Sequence, residues 1–254
     1  MENTLVSAIL GAGTLGLYGF ANQLPRFLCE SAANPVWATL YVRALQKPQE
    51  SVLRAYYGLN RALGIVLFPA TVLAAASSSR IIGLFLGPAW HAVAIPLSIL
   101  LPTFVFTALG GQTSALLFAK GRGGFQLWMS GSFTVAKVLA VLLASRFGLI
   151  TVAAAVGMVN IVCGFVAIIA PARIIGTSPR TLFRGLLAPF GCAMVAGMLG
   201  ERLLSAFDTS LPTLILVQLA SILFYVGLLI LLERDRLSED IMTLHGLVRK
   251  QPAR

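Results

Sequence analysis

Lys137 is the residue of this chain that is hardest to place. It stands near the middle of an apolar stretch spanning 124–145. A lysine at the centre of a membrane-crossing helix is unfavourable by about 2.5–3.5 kcal/mol on insertion scales. Snorkelling of its stem to an interface, a charge partner or a water-filled cavity would each offset that. Ser130 and Thr134 precede it by seven and three residues, so three polar side chains share one helical face. A polar stripe ending in a central cation has the chemistry of a hydrated cavity that receives an anion. The plain alternative is a lysine that reaches one interface.

A second stripe runs along the start of the chain. Thr4, Ser7, Gly11, Thr14, Tyr18, Asn22 and Arg26 advance by three or four residues and keep to one side of a helix. Small and polar residues on one face of a lipid-spanning helix mean close packing or a wet interior. Packing accounts for the glycine better than for Asn22 and Arg26. Arg26 and Glu30 are one turn apart and can pair. Arg61, at the start of a later apolar run, is either a cytoplasmic anchor or a third cation facing a ligand. The candidate cavity residues are therefore Lys137, Arg26 and Arg61 as cations, in that order, with Ser130, Thr134, Tyr18 and Asn22 lining it. Gln112 and Asn160 suit interhelical hydrogen bonds, and Gly110–Gly111 suits a bend.

Catalytic chemistry has little to work with. His91 and His245 have no nearby acid in a plausible arrangement, and no Gly-rich loop with Lys-Ser/Thr is present to cradle a phosphate. Cys29, Cys163 and Cys192 fit no metal or redox spacing and read as small apolar residues in helix packing. Neither an enzyme activity nor a metal or cofactor is expected.

The elements that must position these residues are set by the solvent. The chain has no charged side chain for 26 residues between Arg146 and Arg173, and none for 24 between Asp208 and Glu233. About 20 apolar residues at ~1.5 Å each cross a bilayer core. Hydrophobic residues make up 57% of the chain and charged residues 11%, too few for a polar shell around a soluble core. The apolar runs are far too long for barrel strands, so helices are the expected elements. The reading is an all-α polytopic membrane protein, a bundle of about eight transmembrane helices. The spans lie at about 3–25, 28–45, 61–79, 93–119, 124–145, 147–172, 184–203 and 209–232, with a cytoplasmic amphipathic tail over 233–254. The second span is the weakest, interrupted by Glu30, Pro35 and Arg43. Arg80 to His91 is too short to cross again and reads as an interfacial element on the external side, broken at Gly87–Pro88.

The net charge of +10 sits at span ends rather than in a stripe with exposed aromatics, which argues against nucleic acid. The breaks after the second, fourth and sixth spans, with the tail, hold fourteen Lys and Arg; the opposite breaks hold four. By the positive-inside rule both termini are expected in the cytoplasm. Charge counting leaves one ambiguity: if 28–45 fails to cross, only the N-terminal side changes.

Certain segments resemble the polysaccharide-transporter branch of the multidrug/oligosaccharidyl-lipid/polysaccharide (MOP) exporter superfamily, the O-antigen (lipid-linked oligosaccharide) flippases. They are Leu15-Gly16-Leu17-Tyr18 with Ala21, Asn34-Pro35-Val36, Phe85-Leu86-Gly87-Pro88-Ala89-Trp90, Gly121-Arg122 and Phe147-Gly148-Leu149-Ile150. None is specific alone; their order and spacing cover about two thirds of the chain.

The resemblance implies a carrier that moves an undecaprenyl-pyrophosphate-linked sugar across the bacterial inner membrane by alternating access, without ATPase activity. It also implies a fold like the C-terminal lobe of such transporters, with two extra helices. A first lobe is not matched, so the expectation is that a missing N-terminal lobe or a partner chain completes the carrier. The competing classes are a drug or cation antiporter of the same superfamily, which would want membrane-embedded carboxylates, a membrane enzyme of polysaccharide assembly, and a non-transporting membrane interaction partner. The expected partners are thus the lipid-linked oligosaccharide and the surrounding lipids.

Overall fold

Two prolines, Pro25 and Pro35, lie inside the first helix, α1 (Ala12–Gln46), without ending it. The structure is a computed structural model that describes residues 12–207 and 210–249, with side chains described over 16–207 and 210–233. Each proline removes one backbone hydrogen bond, a loss that helices in lipid tolerate when neighbouring groups re-satisfy the backbone. Residues 25–28 hold none of the Gly or Asn that a reversal requires. Arg26 Nε instead meets Glu30 Oε1 at 2.8 Å, an i,i+4 contact that only a continuing helix allows.

The expected pair of spans at 3–25 and 28–45 is therefore corrected to one unbroken helix over its described part. The Arg26–Glu30 pairing expected from their spacing lies across the place where the two spans were separated. The residues ahead of Ala12, among them Thr4, Ser7 and Gly11, lie outside the described ones, as does the side chain of Thr14.

The connection Lys47–Pro48 is short enough to set α2 (Gln49–Ala76) antiparallel to α1. Helix α2 starts twelve residues before its expected span, because its polar opening is helical too: Arg54 donates to Glu50 at 3.0 Å. Then come the short α3 (Ser78–Phe85), a turn at Gly87 (φ 80°) and a single 3-10 turn over Pro88–Trp90, where the interfacial element was expected. The remaining helices are α4 (His91–Ala119), α5 (Gly123–Ala144), α6 (Leu149–Ile169), the one-turn α7 (Ala172–Ile175), α8 (Pro179–Ala206) and α9 (Leu211–Arg249). No strand occurs among the described residues. Among the described residues six segments are long and apolar enough to cross a membrane: Gln49–Ala76, Pro88–Ala119, Gly123–Phe147, Leu149–Ile175, Pro179–Ala206 and Leu211–Glu233. Each overlaps one of the last six expected spans.

Side-chain contacts fix how the helices run. The Phe20 and Trp90 rings meet edge-on at 5.4 Å, Gln112 Nε2 donates to Ala33 O at 3.2 Å, and Trp37 Nε1 donates to Ser114 Oγ at 2.7 Å. Helices α1 and α4 are therefore parallel neighbours. Gln218 Nε2 reaches Ser77 Oγ at 2.6 Å and Tyr225 Oη donates to Ile65 O at 2.9 Å, so α9 runs against α2. One end of the bundle gathers the α1–α2, α4–α5 and α7–α8 connections. There Lys120 Nζ donates to Ile174 O at 3.2 Å, and Ser178 N donates to Tyr57 Oη at 2.6 Å. Arg43, Lys47, Arg54, Lys120, Arg122, Arg173 and Arg180 belong to this end; Arg80, Arg146 and Arg202 belong to the other. Because α1 is unbroken, Ala12 starts at the sparsely basic end, while Glu233 reaches the basic one.

The tightest seam joins α4 to α6. A Cβ on Gly164 would come within 2.5 Å of Phe106 O, and one on Gly110 within 2.8 Å of Gly164 O. The two backbones touch, as small residues permit in lipid, where hydrophobicity gives helices no reason to associate. Gly164→Leu should therefore collide with backbone that cannot yield, at about 1–3 kcal/mol or more. In detergent it should lower the melting temperature by several degrees, whereas Gly131→Ala, with nothing within 4 Å of the added carbon, should leave it unchanged. Equal melting of both variants would refute the seam. Reporter fusions after Lys47, Trp90, Arg122, Arg146 and Thr177 should alternate in side, and a tag just before Ala12 should report with Trp90. Agreement of that tag with Lys47 would restore a second crossing within 12–46.

Candidate functional site

Helices α1 and α4 lie together along their length, and α4 is clamped to α6. Helix α5 packs mainly on α6, and its span is the least buried of the six. A cleft of about 560 Å³ opens between α1, α4 and α5. Helix α1 contributes Asn22, Gln23, Arg26, Glu30, Asn34 and Trp37; α4 contributes Phe104, Thr107 and Gln112; α5 contributes Phe133, Thr134 and Lys137. The volume falls within the range of small-molecule sites, yet this wall is far more polar than the surrounding helices.

Depth matters more than size. Arg26 lies six residues beyond Phe20, which packs on Trp90, and Lys137 lies seven residues before the end of α5. At ~1.5 Å per residue both sit roughly 10 Å inside the same end of the bundle. Two cations therefore face one cleft well inside the end of the bundle.

Their surroundings differ. Arg26 is held by Glu30 at 2.8 Å, and the two side chains remain 62% and 53% exposed. The half-buried Lys137 places Nζ 5.8 Å from the centroid of the Phe104 ring, within cation–π reach. Among the described residues no carboxylate forms an ion pair with it. Its ammonium thus turns toward protein and cleft.

The expected stripe on α5 divides between two spaces. Thr134 lines the cleft and donates to Ser130 O at 3.0 Å. Ser130 lines an adjoining chamber of about 190 Å³ that shares Thr107, Gly111 and Phe133 with the cleft. There the Gln126 amide donates to Ser130 Oγ at 3.0 Å. Asn22 lines the cleft, whereas Tyr18, one turn earlier, is fully buried in the core and is not part of it.

Arg61 is elsewhere. Its guanidinium pairs with Glu233 Oε2 at 2.5 Å, and the two side chains are 11% and 7% exposed. Glu233 leaves helical geometry (φ −135°, ψ 30°) at that point, and α9 bends there before continuing to Arg249. The bend falls where the expected span gives way to the tail; the tail's apolar face lies outside the described side chains. Breaking a buried pair by removing one partner typically costs about 3–5 kcal/mol, so Arg61 holds α9 to α2 rather than facing the cleft.

Sequence reasoning missed Trp37 and Gln126 as parts of this region, while Gln112 makes the interhelical bond expected of it and also lines the cleft. Gln126 had a signal, since it continues the Ser130 and Thr134 spacing four residues earlier. Gln112 Nε2 donates to Ala33 O and Ala108 O, both at 3.2 Å, tying α4 to α1 behind the cleft. Asn160 makes the kind of interhelical contact expected of it, with Nδ2 3.5 Å from Thr103 Oγ1. Among the described residues no group of three His, Cys, Asp or Glu side chains comes together that could hold a metal.

Residues 1–95 match the family model described as "Polysaccharide biosynthesis protein". No curated protein and no solved structure matches the chain. The matched stretch includes Asn22, Arg26 and Glu30 on α1, while Lys137 lies beyond it. Over its first 95 residues, then, this helical, membrane-type chain is similar to polysaccharide biosynthesis proteins, and that similarity supports a role in polysaccharide biosynthesis or export.

Proposed function

We propose that this chain forms part of a flippase that translocates lipid-linked oligosaccharide, of the undecaprenyl-pyrophosphate type, across the bacterial inner membrane for surface polysaccharide assembly. One observation carries the reading: Arg26 and Lys137 line a common polar cleft, roughly 10 Å in from one end of the bundle. A pyrophosphate crossing a membrane needs its charge offset along the way, since an unpaired ion in hydrocarbon is very costly. The two cations supply that offset, while the polyprenyl tail remains in lipid. The likeness of residues 1–95 to polysaccharide biosynthesis proteins points the same way. The protein is a carrier in this reading, not an enzyme, and its basic end faces the cytoplasm.

A cation antiporter of the same superfamily is the second reading, because Glu30 is a carboxylate in the cleft. Its pairing with Arg26 cancels the charge a cation would seek. The cleft's walls come from one side only, three helices of one bundle. We propose that a second lobe or partner chain supplies the facing wall.

Lys137→Ala in the native gene should abolish surface polysaccharide at normal protein level, and Lys137→Arg should retain part of it. Wild-type export from the alanine variant would overturn the reading. Purified chain alone in liposomes should not flip a fluorescent lipid-linked oligosaccharide; robust movement would show that no facing wall is needed.

A further inference from the structure

The cleft holds three charged side chains, and their arrangement is unequal. Glu30 carries the cleft's only carboxylate among the lining residues, and it engages one of the two cations. Lys137 faces an aromatic ring instead of an acid. The Arg26–Glu30 contact is not sealed by packing, for both residues line the cleft and more than half of each side chain is exposed. An exposed i,i+4 pair is weak, and its arginine presents a fork suited to two oxygens of a phosphate group.

From this we infer that Glu30 is an intramolecular stand-in for the anionic ligand. It occupies Arg26 while the cleft is empty and is displaced when a pyrophosphate group enters. The inference rests on the anion-binding reading above and adds what regulates that site. Lys137 is the standing receptor for the first anionic oxygens. Arg26 becomes available only by exchanging one carboxylate for another anion, an exchange of like for like. In the empty state the exchange leaves the cleft with one net positive charge rather than two. That limits the cost of a cation without a partner inside the bundle. In the loaded state both cations face the ligand and Glu30 turns away from Arg26. Glu30 therefore sets affinity, weakening the grip enough for release, and touches no ligand itself.

The geometry makes Glu30 a better candidate for this role than any other acid with a described side chain. Glu50 pairs with Arg54 beside the α1–α2 connection, and Glu233 is buried against Arg61. Glu201 lines a separate groove with His91 between α2, α3, α4 and α8.

The test is binding of inorganic pyrophosphate to the full chain in nanodiscs, compared across wild type, Glu30→Gln, Arg26→Gln, the Arg26→Gln/Glu30→Gln double variant and Lys137→Ala. Glu30→Gln should bind at least about threefold tighter than wild type, because a competing carboxylate has been removed. That gain should vanish in the Arg26→Gln background, since it acts through the freed guanidinium. Lys137→Ala should bind weakly or not at all. Each variant is first checked for wild-type helical content and elution volume, and Glu30→Ala serves as a second neutral variant if Glu30→Gln fails that check.

Unchanged or weaker binding by Glu30→Gln, with binding still lost in Lys137→Ala, overturns this inference and leaves the anion-binding reading in place. A gain that persists without Arg26 also overturns it, because general charge removal would then suffice. Absence of pyrophosphate binding in wild type and Glu30→Gln alike overturns the anion-binding reading itself.

Discussion

The backbone contact between α4 and α6 is the constraint on which the rest of the bundle depends. Lipid tails are as apolar as leucine, so helices in a membrane gain little by hiding apolar surface from them. Close van der Waals contact and interhelical hydrogen bonds must do the work instead. Gly110 and Gly164 allow that contact, and Gly157 extends it by seating against Thr103 and Ile99. With α4 held there, its other faces receive α1 through Gln112 and Ser114, and α2 through Tyr56, whose hydroxyl lies 3.2 Å from Thr113 Oγ1. Helix α5 has no such seam with α4. Fast packing on one side and its lack on the other leave the cleft between α1, α4 and α5.

The two ion pairs most deeply tied to the helices solve different problems. Arg61 and Glu233 are almost wholly buried and lie 172 residues apart in the chain. Their pair joins the first apolar hairpin to the last long helix, and α9 leaves helical geometry at Glu233 as it reaches Arg61. Such a pair is geometrically selective, because either charge left alone would be costly. Arg26 and Glu30 are local, open and weak by comparison. An open pair beside a ring-facing lysine is a site that can be rearranged, and a buried pair at a bend is one that resists it. The same charges in the sequence thus take up opposite mechanical roles.

Hydropathy and charge spacing, read along the chain, already determined much of this protein. The six spans between Gln49 and Glu233 could be located from length and apolarity, five of them within about five residues at each end and the first with its polar opening missed, because in hydrocarbon every backbone group must be satisfied within its own helix. The depth of Lys137 and its stripe with Thr134 were legible for the same reason: helical period is a local property. Arg26 and Asn22 could be assigned to a polar face by spacing, and both line the cleft.

What only the tertiary structure decided is everything that depends on which helices are neighbours. Two prolines and an acid–base pair looked like the end of a span, yet α1 runs through them, since the pair closes within one helical turn. Arg61 carried the same local signature as a cavity cation, and its partner lay at the far end of the chain. Tyr18 shares the stripe of Asn22 but falls one turn outside the cleft, into the core. Ser130 falls into the chamber beside it. Periodicity tells which residues share a face, but a face becomes a cleft, a seam or a lipid surface only through the shape of what packs against it.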